Sequence, residues 1–197
     1  MKKAISSYYS NLRELTAKIS VTDKAGRVLR MQSGFEKSIS LLLACARSGH
    51  KLMFVGNGAS ASISSHMAAD FWKNGGIKAV AFNDAVLLSC VSNDFGYKHV
   101  FEKPVGMFAE ARDILIAISS SGKSENILAA VQMARKRGCK VITLSGFAEN
   151  NPLRSSGDVN FYVPYSAYGP VEVVHHSICH CILDTIVSVR EKEPSNA

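Results

Sequence analysis

The chain has 197 residues, and 23 lysines and arginines against 16 aspartates and glutamates give a net charge of +7. With 47% hydrophobic and 20% charged residues, it is not a disordered tail, a collagen-like repeat or a solvated linker. Its length suits one domain, residues 1–197, with a full core. The positive excess points to an anionic partner, either nucleic acid or a small anionic molecule. Near the N-terminus the longest uncharged run, residues 38–46, is too short to span a bilayer. Ser6, Ser7, Asn11 and Arg13 interrupt any signal-peptide core, so a cytoplasmic protein with no membrane partner is expected. Five scattered cysteines (Cys45, Cys90, Cys139, Cys179, Cys181) are odd in number, which predicts reduced thiols and no disulfide framework.

Residues 1–50 read as two helices. Tyr8, Leu12, Leu15 and Ile19 fall at helical spacing, and Thr22-Asp23 ends the pattern. A second periodic stretch runs from Val28 through Met31, Phe35, Ile39, Leu42 and Leu43 to a stop at Ser48-Gly49. From residue 51 the character changes. Residues 51–55 (KLMFV), 77–82 (IKAVAF), 114–118 (ILIAI), 140–144 (KVITL) and 159–163 (VNFYV) are short apolar runs bounded by Gly, Asp, Asn or Ser. Helical stretches at 60–73, 124–136 and 171–189 separate them, and Ile127, Val131 and Ala134 form a core stripe. Strands alternating with helices are βαβ units, which build a parallel sheet covered on both faces. The expected architecture is therefore α/β: a three-layer αβα sandwich on five parallel strands, residues 51–190, behind two leading helices. Residues 191–197 read as a frayed end.

In such a sheet ligands sit at the carboxyl ends of the strands, near the switch in strand order. Gly56-Asn57-Gly58-Ala59-Ser60-Ala61-Ser62 follows the first core strand and opens a helix. Its glycines allow close backbone approach, and its hydroxyls and helix-start amides offer donors to an anion. The spelling G-x-G-x-x-A, with Asp84 as an acid after the second strand, also fits a dinucleotide fingerprint. Alone, this loop does not separate a dinucleotide from a sugar phosphate or from a plain tight turn. The second loop is Ser119-Ser120-Ser121-Gly122-Lys123-Ser124. It lacks the Walker spacing. One serine would serve as a helix cap; four within six residues make a nest of donors for a phosphate. Two donor-rich loops suggest a small phosphorylated ligand, its phosphate on the second loop and its polyol body running toward the first.

His66 and Asp70 are four apart on the helix of residues 60–73, so they share a face. The last helix carries Glu172, His175, His176, Cys179, His180 and Cys181, with Glu172, His176 and His180 stepping by four along one stripe. Imidazoles with carboxylates suit a divalent metal such as zinc, and equally suit proton shuttling; a lone histidine on such a helix is more often a surface or satisfied core residue. Spacing does not decide which of the three histidines points inward. Cys179 and Cys181 lack C-x-x-C spacing and read as small core residues. Asn93-Asp94, after a short apolar helix, forms a further polar cluster that also suits a turn.

Five segments, in order and spacing, resemble the sugar isomerase (SIS) family: Gly56-Asn57-Gly58-Ala59-Ser60-Ala61, Ser65-His66-Met67-Ala68-Ala69-Asp70, Ser92-Asn93-Asp94-Phe95-Gly96-Tyr97, Ile118-Ser119-Ser120-Ser121-Gly122-Lys123-Ser124 and Val141-Ile142-Thr143-Leu144-Ser145-Gly146. The resemblance covers nearly the whole chain and is strongest to the heptose-phosphate members. It implies a flavodoxin-like fold and a homotetramer. It also implies interconversion of a ketose phosphate (sedoheptulose 7-phosphate) and an aldose phosphate for lipopolysaccharide or capsule. It places Asn57, Gly58, Ala59, Asn93 and Asp94 on the substrate and Ser119, Ser120, Ser121 and Ser124 on the phosphate. The family's His-and-Glu pair, four apart, corresponds to His66 and Asp70, and its Gln and later His to Glu172 and His180.

The chain thus departs twice from the family pattern. Asp70 shortens the presumed base by one methylene, and Glu172 adds a negative charge beside the metal. The set so implied is Asp70 and His180 as catalytic groups, Asp70 and Glu172 also touching substrate, and a zinc ion held by His66, Asp70, Glu172 and His180. The rival readings are a non-catalytic SIS regulator that binds a phosphosugar or a replication initiator, a dinucleotide oxidoreductase, and a nucleic-acid binder. The only concentrated basic run, Arg135-Lys136-Arg137, reads as a solvated helix end, so no nucleic-acid partner is expected.

Overall fold

A computed structural model of the chain describes residues 1–192. The leading residues form α1 (Lys2–Ala17) and α2 (Met31–Arg47), but the segment between them is not a helical break. Ser20–Asp23 (β1) and Val28–Leu29 (β2) pair as an antiparallel hairpin. The expectation of an all-helical residue 1–50 segment is therefore corrected, and Ile19 lies beyond the end of α1. The cause is Asp23. Its carboxylate accepts the amides of Ala25 and Arg27 and the Arg27 guanidinium, so a residue that reads as a helix breaker instead closes a tight turn. Val21 behind it is 1% exposed.

The five expected strands are present and parallel: β3 (Leu52–Gly56), β4 (Ala79–Ala81), β5 (Ile114–Ser119), β6 (Lys140–Ser145) and β7 (Val159–Tyr162). β1 adds antiparallel to β7, so the sheet has seven strands in the order β2-β1-β7-β6-β5-β3-β4. Within the parallel part, the first strand in sequence lies between the second and third, the flavodoxin-like order. β3 and β5 are buried along their whole length, as continuous apolar strands covered on both faces must be.

The remaining helices are α3 (Ala59–Lys73), α4 (Ala85–Phe95), α5 (Glu102–Phe108), α6 (Glu125–Lys136) and α7 (Tyr168–Lys192). Side-chain alternation along β3 divides the core in two. Leu52 and Phe54 pack with α1, α2, α3 and α7 through Leu15, Leu42, Met67, Phe71, Val174 and Ile178. Met53 and Val55 pack with α4, α5 and α6 through Val91, Val105, Ile127, Val131 and Ala134. The basic run ends α6 as expected: Arg135 donates to the Ser156 carbonyl and Arg137 to that of Ala109. All five cysteines are free. Cys179 is buried as expected, whereas Cys181 is exposed, because the helical step carries it past the buried stripe of α7. Among the described residues no helix is long and apolar enough to cross a membrane. From residue 193 onward the expected frayed end lies outside the described residues.

At the amino edge of β3 and β5 the buried Asp113 carboxylate accepts the Lys51 amide at 2.9 Å, the Lys51 ammonium at 2.6 Å and the Glu110 amide at 2.8 Å. Removing it leaves three donors unpaired, two of them on Lys51. Asp113→Ala is expected to lower stability by about 3–5 kcal/mol, read as a lower urea midpoint; Asp113→Asn, which keeps the shape, is expected to lose less.

Candidate active site

The two donor-rich loops leave the carboxyl ends of β3 and β5, which are neighbours in the sheet. Their helices leave to opposite faces, α3 to one core and α6 to the other. This is the switch point, where a crevice opens at the sheet edge. Asn57 spans it. Its amide exchanges two hydrogen bonds with Asn126, at 2.9 and 2.8 Å, and accepts the Tyr97 hydroxyl at 3.1 Å. α3 then starts at Ala59 with Gly58 in the cap position and no side-chain cap, so the first-turn amides face the crevice with their partial positive charge. A Cβ on Gly56 would meet the Ser60 backbone at 2.5 Å; the close strand-to-helix turn requires glycine there.

The serine loop is wound by its own hydroxyls. Ser119 Oγ stands 3.2 Å from Ser124 Oγ and accepts the Gly122 amide at 3.2 Å, and Ser121 Oγ accepts the Lys123 amide at 3.3 Å. Ser124 holds the cap position of α6 without capping it. Ser120 Oγ is buried and has no partner. Gly122 has φ +63, and a Cβ on it would collide with the Asn151 side chain. Asn151 is itself anchored on the Gly146 and Ala148 carbonyls, so the loop cannot relax away. Asn57, Gly58, Ala59, Ser119, Ser120, Ser121 and Ser124 line one cleft of about 270 Å³, closed by Tyr168 and Glu172 at the start of α7.

Beyond the cleft, α3 and α7 pack side by side and bring histidines together. Ring nitrogens of His66, His176 and His180 lie within 4.8 Å of one another. The ring centroids are 5.1 Å apart for His66 and His176, 5.6 Å for His66 and His180, and 4.7 Å for His176 and His180. Asp70 Oδ2 is 3.1 Å from His66 Nε2. Burial, then the neighbouring His180 and His66, push the His176 pKa down, against an opposing pull from Asp70, which favours the neutral ring. His176 Nε2 is buried with no hydrogen-bond partner. His175 faces the other way: it is fully buried, its Nε2 lies 3.1 Å from the Ser145 carbonyl, and burial pushes its pKa down to about 4.

The structure thus brings His66, His176 and His180 together and sets Asp70 beside His66, with Asp70, like Glu172, outside the close group of donors. Glu172, expected among the metal ligands, lines the serine cleft and is outside the close group of ring nitrogens. Asn93 and Asp94 are exposed on α4, hydrogen-bonded to each other at 2.9 Å, in a separate depression with Val86, Ser89 and Cys90. They are helical, not a turn after a helix, and they do not reach the cleft within this chain. Asp84, the acid of the dinucleotide reading, caps α4 by accepting the Leu87 amide at 2.9 Å. Asn126, Tyr97 and Tyr168 went unassigned from sequence. Tyr97 closes the Ser92–Tyr97 segment and Asn126 stands two residues past the serine loop, so proximity to those motifs was the available signal.

A family signature described as SIS domain matches residues 7–146. The chain belongs to the SIS-domain family. It is 32% identical over 189 residues to the phosphoheptose isomerase of Syntrophotalea carbinolica, covering 93% of this chain and 92% of that one. It is 34% identical over 179 residues to that of Proteus mirabilis, covering 86% and 93%. Among solved structures, phosphoheptose isomerase GmhA from Neisseria gonorrhoeae superposes with a TM-score of 0.81 at 27% identity, over 95% of this chain and 98% of that one. These relatives place the SIS-domain protein among the isomerases of its family.

Ser120 gives a test with two opposite signs. Ser120→Ala removes a buried hydroxyl that has no partner, so the ligand-free protein is expected to be as stable or up to about 1 kcal/mol more stable. Binding of inorganic phosphate, titrated by calorimetry, is expected to weaken. Gly122→Ala, which drives a methyl into Asn151, is expected to lose phosphate binding and lower the melting temperature together.

Proposed function

We propose that the protein is an aldose–ketose isomerase acting on a sugar phosphate, most directly sedoheptulose 7-phosphate, converting it to D-glycero-D-manno-heptose 7-phosphate for lipopolysaccharide or capsule. The observation that carries this is the continuity of the serine cleft with the imidazole cluster. Glu172, His176 and His180 form one stripe of α7 that starts at the cleft and ends at His66 and Asp70. Eight residues of helix advance about 12 Å. In a seven-carbon ketose 7-phosphate the phosphate and the reacting C1–C2 edge stand at opposite ends of the sugar. A long substrate therefore has its phosphate on the serines and its carbonyl end toward the histidines.

Isomerisation moves a proton from C1 to C2 through an enediol. Asp70 takes the C1 proton, and His180, where its ring is not held on an ion, protonates the C2 carbonyl oxygen. Asp70 then delivers to C2 a proton that has exchanged with solvent, and His180 takes the proton of the C1 oxygen, which gives the aldose. Asn57 and the first-turn amides of α3 hold the polyol hydroxyls between the two ends.

The donor set fits a divalent ion such as zinc: three imidazoles converge and one buried ring nitrogen has no protein partner. His66 and His180 would hold it. When bound, zinc supplies Lewis-acid polarisation of the sugar oxygens. Asp70, with Oδ2 3.1 Å from His66 Nε2, orients that ring and keeps an oxygen for the proton.

The protein acts as a cytoplasmic homotetramer, one SIS unit with its two leading helices per subunit. Exposed apolar side chains support self-association: Ile5 and Tyr9 on α1, Trp72 on α3, Phe95 on α4, Met107 and Phe108 on α5.

The test is incubation with sedoheptulose 7-phosphate, fructose 6-phosphate alongside, with the aldose product followed by NMR. Aldose is expected from the heptulose phosphate. Asp70→Asn and His180→Ala are each expected to lower the rate by about 10²–10⁴-fold, while binding of the ketose phosphate persists. Full activity in both variants removes the assigned roles.

A further inference from the structure

We infer that His176, in place of Glu172, completes the metal site with His66 and His180, leaving Glu172 to bind the sugar. This rests on the metal-assisted isomerase reading above and deepens it. Three observations carry it.

The mutually close donors are the three imidazoles, His66 from α3 and His176 and His180 from α7, and Glu172 is not among them. His176 Nε2 is buried without a partner. A buried polar nitrogen left unpaired is costly and asks for an explanation; a cation shared with its two neighbours is one. Glu172, one helical turn nearer the start of α7, lines the cleft with Tyr168 and Ser119–Ser121.

The consequence is electrostatic. Two imidazoles with two carboxylates, the set implied by the family pattern, would neutralise a divalent ion. Three neutral imidazoles leave its full double positive charge and an open fourth position, the arrangement of a catalytic rather than a structural zinc. Imidazole-only sites also suit the softer divalent ions over magnesium or calcium. Asp70, 3.1 Å from His66 Nε2, then positions a ligand without being one. Glu172, facing the cleft that receives the sugar, is an acceptor for sugar hydroxyls. It cannot approach the phosphate without repulsion, so it reads the polyol between the phosphate and the carbonyl end.

The experiment is zinc binding by chelator competition on the metal-stripped full chain. It compares wild type, His176→Ala, His176→Phe, Glu172→Gln and His180→Ala, each checked for fold by circular dichroism. X-ray absorption of the zinc-loaded wild type counts the imidazoles. The expected results are a fall in zinc affinity of at least about tenfold in both His176 variants and in His180→Ala. Glu172→Gln is expected to keep zinc affinity but raise KM for the ketose phosphate. The wild-type spectrum is expected to show three imidazoles. Retained affinity in both His176 variants, loss in Glu172→Gln, or a spectrum with two imidazoles overturns the inference while the isomerase reading stands. A wild type that binds no zinc removes the metal from both. Three imidazoles on zinc without any isomerisation leaves this site in place and removes the function. The wild-type spectrum decides the ligand count even where a variant fails to fold.

Discussion

Strands β3 and β5 lie side by side, yet the helices that follow them leave to opposite faces of the sheet. That single constraint opens the crevice. It also leaves two loops whose amides and hydroxyls cannot pair with each other across the gap. Asn57 bridges it with Asn126, and Asn151 props the serine loop from beneath. What remains unpaired, Ser120 Oγ above all, faces the place where an anion would sit. The donors the crevice offers an anion are hydroxyls and amides, so the proposed site does not depend on the net charge of +7, which would only favour the approach of an anionic ligand.

The groups to which the chemistry is assigned sit on the other side of the same arrangement. α3 begins in the crevice and, two turns on, presents His66 and Asp70. α7 starts at the cleft wall with Tyr168 and Glu172 and runs alongside α3 to His176 and His180. The rotation of α7 is set by its buried stripe: Val171, Val174, His175, Ile178 and Ile182 face the core. With that side committed, His176 and His180 have to face α3. His175, burial holding it neutral with its nitrogen on Ser145, belongs to the core and not to the site.

Much of this was legible in the sequence because the parallel strands are buried on both faces. Residues 52–55 and 114–118 are unbroken apolar runs and 141–144 is broken only by Thr143, so no surface requirement blurs them. The hairpin of β1 and β2 was not legible. Two short strands at a sheet edge carry too few apolar residues to show a period, and two of their buried residues, Thr22 and Asp23, are polar, with Asp23 held by hydrogen bonds to its carboxylate. The serine loop, His66 and Asp70 announced themselves through clustering and spacing, whereas His180 came only from the resemblance to the SIS family, because spacing leaves His175, His176 and His180 equivalent. The choice between Glu172 and His176 was not legible. Residues four apart share a helical stripe, and only the position along α7 relative to the cleft separates one that lines it from one that meets the imidazoles of α3 and α7. Asn93 and Asp94 show the reverse: conspicuous in sequence, they lie on an exposed helix outside the cleft of this chain.

The central claim is that one crevice fixes the phosphate while the histidine and aspartate end moves a proton between adjacent carbons. Conversion of sedoheptulose 7-phosphate in deuterated water, followed by NMR, tests it most directly. The account predicts an aldose 7-phosphate carrying one deuterium at C2, with no deuterium elsewhere along the chain of carbons. A zinc-loaded protein that binds the ketose phosphate but returns it with neither aldose nor deuterium contradicts the account.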